Sequence, residues 1–384
     1  MADTIHNVAV LGAGRVGAAI ARDLARDGAF RVTAVDVSDA PLERLSGTPG
    51  IQTLRADLRD ASDVERIAAA HDLVVGAVPG PIGFATVRSA IAAARPIVDI
   101  SFFEEDALEL DAAAREAGIP VVVDCGVAPG LSNLLLGHAS ATWDSIERFA
   151  CYVGGLPVVR EWPFEYRAPF SPIDVVAEYT RPARFRRGGR AILLPALSEV
   201  ELIDFPGVGT LEAFNTDGLR TLLRIVDVPD MVEKTMRYPG HAERMRMLRD
   251  SGFFDEVPLD LPDGTRVRPL DVTARLLDRA WRLAEGDEDL TVFRVEIDGA
   301  RDGRPAHRVV DLLDRYDAAT RTTSMARTTG YTCTAVVRLI ADGLWDTPGI
   351  AAPELIGRST ACNDFILEHL RARGVDVRMR DEDG

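Results

Sequence analysis

A glycine-rich turn between a short apolar strand and a helix constrains the fold of this chain more than any other feature. Residues 7–28 read NVAVLGAGRVGAAIARDLARDG, so a strand-like apolar run passes directly into apolar residues at helical spacing. Between them, Gly12, Gly14 and Gly17 complete the pattern G-x-G-x-x-G. Such glycines provide a tight turn, close approach of the backbone to a pyrophosphate, and close packing of helix against strand. The segment predicts the first βαβ unit of a Rossmann domain, with the helix start facing the phosphates of a dinucleotide.

The second predicted strand ends in an acidic residue. FRVTAVDVS (30–38) places Asp36 nineteen residues after Gly17. A carboxylate at this position accepts hydrogen bonds from the adenosine ribose hydroxyls and repels a 2′-phosphate. No arginine directly follows it, the next in sequence being Arg44, so we expect NAD rather than NADP as the cofactor. The alternative is a solvated aspartate at the strand end of a Rossmann fold that binds no dinucleotide.

Strands and helices alternate through residue 127, which predicts a parallel, doubly wound sheet. Ligands of such sheets lie at the carboxyl ends of the strands. Most residues at these ends are expected to serve turns. With Arg15 and Val16 of the glycine turn, we assign the cofactor to Asp57, Val78, Pro79 and Ser101, and a catalytic role to Asp124, at the end of the sixth strand.

The pattern changes after Cys125, where mixed strand-like and helical segments replace regular alternation. We therefore predict an α/β protein in which residues 1–127 form the doubly wound Rossmann domain. Residues 128–325 are predicted to form a second, α+β domain. Residues 326–384 are predicted to form C-terminal helices.

Composition excludes several function classes. The net charge of −16 disfavours binding to nucleic acid or to an anionic membrane. No apolar run approaches the roughly 18–20 residues that span a bilayer, and no signal peptide is apparent. The four cysteines are widely separated and form no CxxC pair, so neither a metal site nor a disulfide framework is expected. We expect a cytoplasmic protein.

Six segments carry a family resemblance. They are DCGVAPGLSNLL (124–135), YVGGLP (152–157), FEYRAPFSP (164–172), LSEVE (197–201), EAFNTDGLRTL (212–222) and KTMRYPGHAERMRML (234–248). Together with the Rossmann start, they resemble the saccharopine dehydrogenase-like family, most closely its L-lysine 6-dehydrogenase branch. The resemblance implies that the second domain, residues 128–325, supplies substrate contacts and a homodimer surface. It also implies that the C-terminal helices of residues 326–384 return to the Rossmann domain.

The charged segment KTMRYPGH is the first candidate for the chemistry. Lys234 is the only lysine among 44 basic residues, which favours a role that needs a compact ammonium. Arg237, with Tyr238 beside it, is suited to grip a substrate carboxylate, and His241 is suited to accept a proton near neutral pH. The alternative is a Pro-Gly turn with solvated charges.

Two further segments have a structural and a functional interpretation. In EAFNTDGLRTL, Thr216 or Asp217 caps a helix, or this helix start and Arg220 hold the substrate carboxylate. Glu105, within FFEED (102–106), belongs to a solvated helix start or to an acidic patch that attracts a cationic side chain.

We expect NAD-dependent oxidation of the ε-amine of L-lysine to allysine, which cyclises to piperideine-6-carboxylate, with release of ammonia. Such a reaction needs the neutral amine, whose free pKa is about 10.4, and the cofactor supplies the hydride chemistry. The alternative in the same class is a saccharopine-type reaction on a secondary amine. The alternative in another class is a non-catalytic NAD sensor.

Overall fold

The computed structural model describes residues 5–168, 172–284 and 286–383. The chain divides into two compact units. The first unit contains the residues up to Thr142 together with Met325–Asp376, and the second contains Trp143–Ser324 and the residues from Val377 onward.

Strands and helices are numbered separately in chain order. The strands are β1 (Asn7–Leu11), β2 (Arg31–Asp36), β3 (Ile51–Arg55), β4 (Leu73–Gly76), β5 (Ile97–Asp99), β6 (Pro120–Val122), β7 (Ser145–Pro157), β8 (Ala183–Arg187), β9 (Arg190–Leu194), β10 (Glu201–Phe205), β11 (Gly209–Asn215), β12 (Asp230–Arg237), β13 (Leu259–Asp260), β14 (Arg266–Val267), β15 (Asp289–Arg301), β16 (Arg304–Arg315), β17 (Gly349–Ala351) and β18 (Val377–Asp383). The helices are α1 (Arg15–Ala25), α2 (Asp39–Glu43), α3 (Ala61–Ala69), α4 (Gly80–Ala92), α5 (Asp111–Glu116), α6 (Leu131–Thr142), α7 (Pro172–Thr180), α8 (Leu222–Ile225), α9 (His241–Asp250), α10 (Pro269–Trp281), α11 (Ser324–Ala341), α12 (Pro353–Gly357) and α13 (Thr360–Ala372), with a 3-10 turn at Ala107–Leu110.

The first unit contains a parallel sheet in the order β17-β6-β5-β4-β1-β2-β3. Its central strands β4 and β5 are buried at every position, as expected for strands of a doubly wound sheet with covered faces. The predicted Rossmann fold is thus confirmed. The edge strand β17 comes from the C-terminal part of the chain.

A buried ion network joins the C-terminal helices to the first helix of the Rossmann fold. Asp23 of α1 accepts hydrogen bonds from Nε of Arg373 and from the hydroxyl of Thr334, both at 2.6 Å. The Thr334 hydroxyl also lies 3.0 Å from Nε2 of His369. Burial alone would raise the pKa of Asp23, but hydrogen bonds from His369, Arg373 and Thr334 outweigh it and lower this pKa to about 2.

The second unit is built on a mixed sheet with the main order β10-β11-β12-β7-β15-β16-β18. β12 runs parallel to β7, and the other neighbours along this path are antiparallel. Residues of α7, α9 and α10 pack with Phe214 in one apolar cluster. Residues of the opposite face, among them Tyr152 and Met236, form a second cluster. The predicted α+β character of this part is confirmed.

The observed division differs from the predicted boundaries at both ends. α6 belongs to the first unit because it packs in backbone contact with α12: a Cβ at Gly137 would overlap the carbonyl of Glu354, and one at Gly357 would overlap that of Leu134. The chain after Asp376 does not stay with the first unit, since β18 pairs antiparallel with β16. The sequence pattern alone does not reveal that α6 packs against α12 or that β18 pairs with β16.

Candidate functional site

The glycine turn has the geometry that a dinucleotide requires. Gly12 has a φ of 100°, its N–H donates to the carbonyl of Val35 at 2.8 Å, and a Cβ there would overlap the carbonyl oxygen of Ala77. A Cβ at Gly17 would overlap the carbonyl oxygen of Gly12, so only glycine allows this packing of helix on turn. Gly14 faces open space, which leaves room for a phosphate at the start of α1.

Asp36 lies beside this turn, as predicted for a ribose-binding carboxylate. Its Oδ2 accepts the N–H of Ala13 at 2.9 Å, and its Oδ1 accepts the N–H of Ser38 at 2.9 Å. These two bonds fix the carboxylate at the carboxyl end of β2 and leave each oxygen a further lone pair for a hydroxyl.

An arginine that sequence reasoning missed also lies at this edge. Arg55 ends β3 and is the register partner of Asp36. Its Nε donates to the carbonyl of Val37 at 3.2 Å, and its side chain remains 66% exposed next to Asp39. The position of Arg55 at the end of a strand could have indicated this contact, because the carboxyl ends of adjacent parallel strands meet at one edge of the sheet. Arg55 is not next to Asp36 in sequence, and the register of β2 and β3 brings the two residues together.

The other cofactor candidates lie at the same edge of the first unit's sheet. Val78 and Pro79 follow β4, and Val78 is buried whereas Pro79 is exposed. Ser101 is buried after β5 and donates its hydroxyl to Asp99 at 3.0 Å. Asp57 follows β3 and pairs with Arg59 at 2.6 Å.

The remaining first-unit candidates differ in exposure. In the glycine turn, Arg15 is exposed and Val16 half-buried at the start of α1. Asp124 is buried after β6 in a left-handed conformation, with φ of 55°. Glu105 is exposed, and the neighbouring Asp106 accepts the N–H of Leu108 at 3.0 Å. This segment is therefore better described as the solvated start of a turn than as an acidic patch that binds a cationic side chain.

The second unit separates the KTMRYPGH candidates onto two faces, because successive residues of β12 point in opposite directions. Lys234 donates from Nζ to the carbonyl of Glu199 at 2.8 Å and to Oε1 of Glu201 at 2.6 Å. Tyr238 belongs to the second apolar cluster, with Tyr152 and Met236, and donates its hydroxyl to the carbonyl of Pro157 at 2.9 Å. The contacts of Lys234 bind its ammonium to the protein's own turn rather than leave it for a substrate.

His241 is the first residue of α9 and lies buried among aromatic rings. Its Nε2 is 2.9 Å from the hydroxyl of Tyr179, and its ring lies 5.1 Å from that of Tyr166. Burial, together with the charge of Arg237, lowers the pKa of His241 to about 3. An imidazole with so low a pKa is a poor proton acceptor at neutral pH, so these contacts favour a structural role over the predicted catalytic one.

Arg237 is buried on the helix-covered face. Its Nη2 donates to Oε2 of Glu178 on α7 at 3.0 Å, and its guanidinium carbon lies 4.6 Å from the centre of the Tyr166 ring. Burial raises the pKa of Glu178 to about 7 although Arg237 opposes the shift. The predicted carboxylate-binding arginine thus meets a carboxylate of its own chain.

Glu233 is a second carboxyl on this face, two residues before Thr235 and four before Arg237, and it is buried, whereas Glu178 is partly exposed. Its Oε2 accepts the hydroxyl of Thr216 at 2.7 Å, and the Thr216 hydroxyl lies 2.9 Å from that of Thr235. Burial raises the pKa of Glu233 to about 8, with further contributions from Glu178 and Asp217. We refer to Glu178, Thr216, Glu233, Thr235 and Arg237 as the polar strip.

The helix start predicted around Thr216 does not form. Thr216 bonds to Glu233, and Asp217 is held by Nη2 of Arg184 at 2.7 Å. α8 begins only at Leu222, and Arg220 is nearly buried with a φ of 45°. Residues 169–171 of the FEYRAPFSP segment lie outside the described residues.

Sequence reasoning missed Glu178 and Glu233. Glu233 had a detectable signal, because it alternates with Thr235 and Arg237 and therefore lies on the same face of β12. Glu178 had none, since it comes from a helix far away in sequence.

Within the described part of the chain, no cluster of His, Cys, Asp or Glu side chains is suited to hold a metal ion. None of the described helices combines the length and apolar character of a membrane span.

Comparisons with known proteins match both parts of the chain. Residues 126–375 match the saccharopine dehydrogenase C-terminal domain, and residues 8–122 match the saccharopine dehydrogenase NADP binding domain. The L-glutamate-forming, NADP(+) saccharopine dehydrogenase of Saccharomyces cerevisiae is 23% identical over 95% of this chain and 96% of its own. The enzyme of the same name from Schizosaccharomyces pombe is 22% identical over 80% and 85%.

Two further similarities concern a bacterial enzyme and a solved structure. Carboxynorspermidine synthase of Vibrio cholerae is 23% identical over 62% of this chain and 58% of its own. The solved apo structure of the Saccharomyces cerevisiae saccharopine dehydrogenase superposes with a TM-score of 0.78 at 20% identity, covering 98% of this chain and 100% of that one. This likeness shows the shared fold.

Proposed function

This chain belongs to the saccharopine dehydrogenase family, and we propose that it is an NAD-dependent oxidoreductase that removes the ε-amine of L-lysine. As a member of this family, it is an oxidoreductase of amino-acid metabolism that acts on a carbon–nitrogen bond. The observation that carries the proposal is the glycine turn with Asp36 beside it, at the start of a chain whose two parts both match this family.

The preference for NAD rests on Asp36. Its fixed carboxylate can accept the two ribose hydroxyls of NAD, whereas a 2′-phosphate would bring like charges together. One observation favours NADP as a second candidate. The exposed guanidinium of Arg55 lies at the same edge, and the yeast relatives are named as NADP(+) enzymes.

The proposed reaction proceeds in two balanced steps. A nicotinamide dinucleotide held by the glycine turn and Asp36 would accept a hydride from the neutral amine R–CH₂–NH₂, which would leave the iminium ion R–CH=NH₂⁺. Water then adds to the carbon, and the products are the aldehyde and an ammonium ion. The protein's part is to bind the substrate as the neutral amine, orient its carbon and exclude other water.

We propose candidates for these tasks within each unit separately. The carboxyl-edge residues Asp124 and Ser101 border the region where ligands of a Rossmann sheet bind. In the second unit, the polar strip is a concentration of buried groups with shifted pKa values, which is typical of functional sites. Lys234 and His241 serve the architecture in this proposal, because their polar atoms contact their own chain.

We also propose a homodimer formed through the second unit. Helices α7, α9 and α10 pack on one face of its sheet, while the opposite face carries Tyr152, Met236 and their neighbours. Arg148 pairs with Glu296 and Asp298 beside this cluster. Sedimentation velocity tests the proposal, and a monomer at micromolar concentration would contradict it.

The activity is tested by following NADH formation with L-lysine, L-saccharopine and a panel of other amino acids and diamines. We expect L-lysine to yield one ammonium per NADH, with a rate that rises toward alkaline pH as the amine loses its proton. Turnover of saccharopine alone, with release of glutamate or lysine, would favour the secondary-amine reaction. Cofactor binding without any turnover would favour the NAD sensor.

A further inference from the structure

The two-stranded hairpin of β13 and β14 in the second unit has one side without charged residues. Leu259 is the register partner of Val267, and Leu261 continues this register because its N–H donates to the carbonyl of Thr265 at 2.8 Å. Side chains of register partners and of alternate residues point to the same side of a hairpin. Leu259, Leu261, Thr265 and Val267 therefore share one side, which we call the hairpin face.

The hairpin face is open to solvent in the single chain. Leu259 is 56% exposed and Leu261 41%. Val257 just before the hairpin is 74% exposed, and Val272 and Leu276, one turn apart on the following helix α10, are 48% and 55% exposed. Together these side chains expose several hundred Å² of apolar surface, which is typical of an interaction site. A two-stranded hairpin is also marginally stable in water unless its apolar face is packed.

The edges of the hairpin are poorly suited to bind another strand. Because the N–H of Leu261 points toward β14, the backbone positions of residues 258 and 260 lie on the open edge of β13. Pro258 has no N–H to donate at this edge, and Pro262 follows directly after Leu261. β14 is only two residues long. The apolar face, rather than an edge, is therefore the surface through which the hairpin can bind another chain.

The charges that border the hairpin face favour a second copy of the same chain as the partner. Glu256 and Asp260 lie in or next to β13, whereas Arg266 and Arg268 lie in or next to β14. A two-fold axis parallel to the strands would place β13 of each copy over β14 of the other, so that acidic residues approach basic ones twice. Packed sheets lie about 10 Å apart, which is close to the Debye length at physiological salt.

The local charge balance also favours this partner. Residues 247–282 contain six arginines and seven acidic residues, although the whole chain has a net charge of −16. Two copies therefore approach each other through this segment with little of the repulsion that they meet elsewhere. A strongly basic partner would be attracted instead to the more acidic parts of the chain.

We propose that two copies of this chain bind each other through the hairpin face and the exposed side of α10, in a contact with two-fold symmetry. Both copies use the same surface in such a contact, so a residue near the axis lies close to its own counterpart. The contact does not depend on the proposed activity. It also uses other elements than the sheet face proposed above: alone it gives a dimer, and with the sheet-face contact it gives a tetramer.

A charge placed on the hairpin face tests the contact. Leu259→Glu brings two carboxylates together across the axis, and we expect it to halve the size of the assembly or to raise its dissociation constant at least about tenfold. Sedimentation velocity of the full-length protein over a series of concentrations measures both effects. Leu344→Glu is the matched control, because Leu344 is 49% exposed in the first unit. This control should assemble as the parent does.

Crosslinking locates the contact independently. All four cysteines of the chain are buried, so a cysteine introduced at the surface reacts selectively. Leu261→Cys should give a covalent dimer with a short bismaleimide, whereas Leu344→Cys should remain monomeric on a denaturing gel.

Three results would overturn the proposal. A parent protein that is monomeric at micromolar concentration would leave the hairpin face to a different protein. Association that Leu259→Glu does not weaken, or equal crosslinking of Leu261→Cys and Leu344→Cys, would show that the copies do not meet through the hairpin face.

Discussion

Replacement of Lys234 discriminates most sharply between a catalytic and a structural role for the only lysine of the chain. Its Nζ, with 9% of the side chain exposed, donates to the carbonyl of Glu199 and to the carboxylate of Glu201. Glu199 has a φ of 47° and Leu197 one of 63°, so the ammonium holds a turn with left-handed residues. A compact ammonium can serve both acceptors, which gives a physical reason for lysine in a chain that otherwise uses arginine.

The magnitude follows from these two bonds. Hydrogen bonds to a charged group contribute about 1.5–3 kcal/mol each, but Glu201 is 44% exposed and regains water when the ammonium is removed. We therefore expect Lys234→Met to lower the free energy of unfolding of the second unit by about 2–4 kcal/mol. For a unit of this size, the melting temperature falls by roughly 4–16 °C. Lys234→Arg keeps the charge but overfills the site, at a cost of about 1–3 kcal/mol.

Circular dichroism melts and steady-state kinetics with L-lysine and NAD at 25 °C measure the two effects separately. A structural role predicts reduced melting temperatures with kcat/KM within about twofold of the parent enzyme. Glu201→Gln is the matched control, since it weakens the ion pair and leaves the bond to the Glu199 carbonyl. An unchanged melting temperature with a tenfold or greater loss of kcat/KM in Lys234→Arg would refute this reasoning and restore the catalytic role.

Two further predictions concern carboxylates of the first unit. Asp36→Ala should weaken NAD binding at least tenfold, about 1.4 kcal/mol, and reduce the ratio of NAD affinity to NADP affinity. Arg55→Ala is the comparison variant and should lower only the affinity for NADP. Fluorescence titration measures both affinities, and tighter binding of NADP than of NAD by the parent protein would reverse the assignment. Asp23 should stabilise the fold above its unfolded pKa near 3.9 by about 2 kcal/mol, and this contribution should be lost as the pH falls toward 2. Chemical denaturation of the parent and of Asp23→Asn between pH 2 and pH 7 measures it, and stability differences that do not shrink in acid would contradict the ion network.

The sequence by itself determined the Rossmann fold of the N-terminal part of the chain, and the family. The glycine turn needs only local information, because Gly17 is required by an atom of the turn itself and Gly12 by an atom that directly follows β4. The alternation of strands and helices predicted the parallel sheet. The position of Asp36 at the end of the second strand predicted its place beside the glycine turn. The motifs of residues 124–248 identified the saccharopine dehydrogenase family; the lysine 6-dehydrogenase branch stays a prediction.

Only the tertiary structure decided which charged residues meet. Neighbouring residues of KTMRYPGH lie on two different faces because β12 is an extended strand. The prediction that this charged segment forms one site did not take that separation into account. Glu178 joins Arg237 through the packing of α7, and Arg55 joins Asp36 through strand register. Local periodicity specifies whether a residue lies in a strand or a helix, whereas its partners across the fold depend on register and packing between segments far apart in the chain. The sequence therefore predicted the fold of the dinucleotide half, and the structure alone revealed the polar strip.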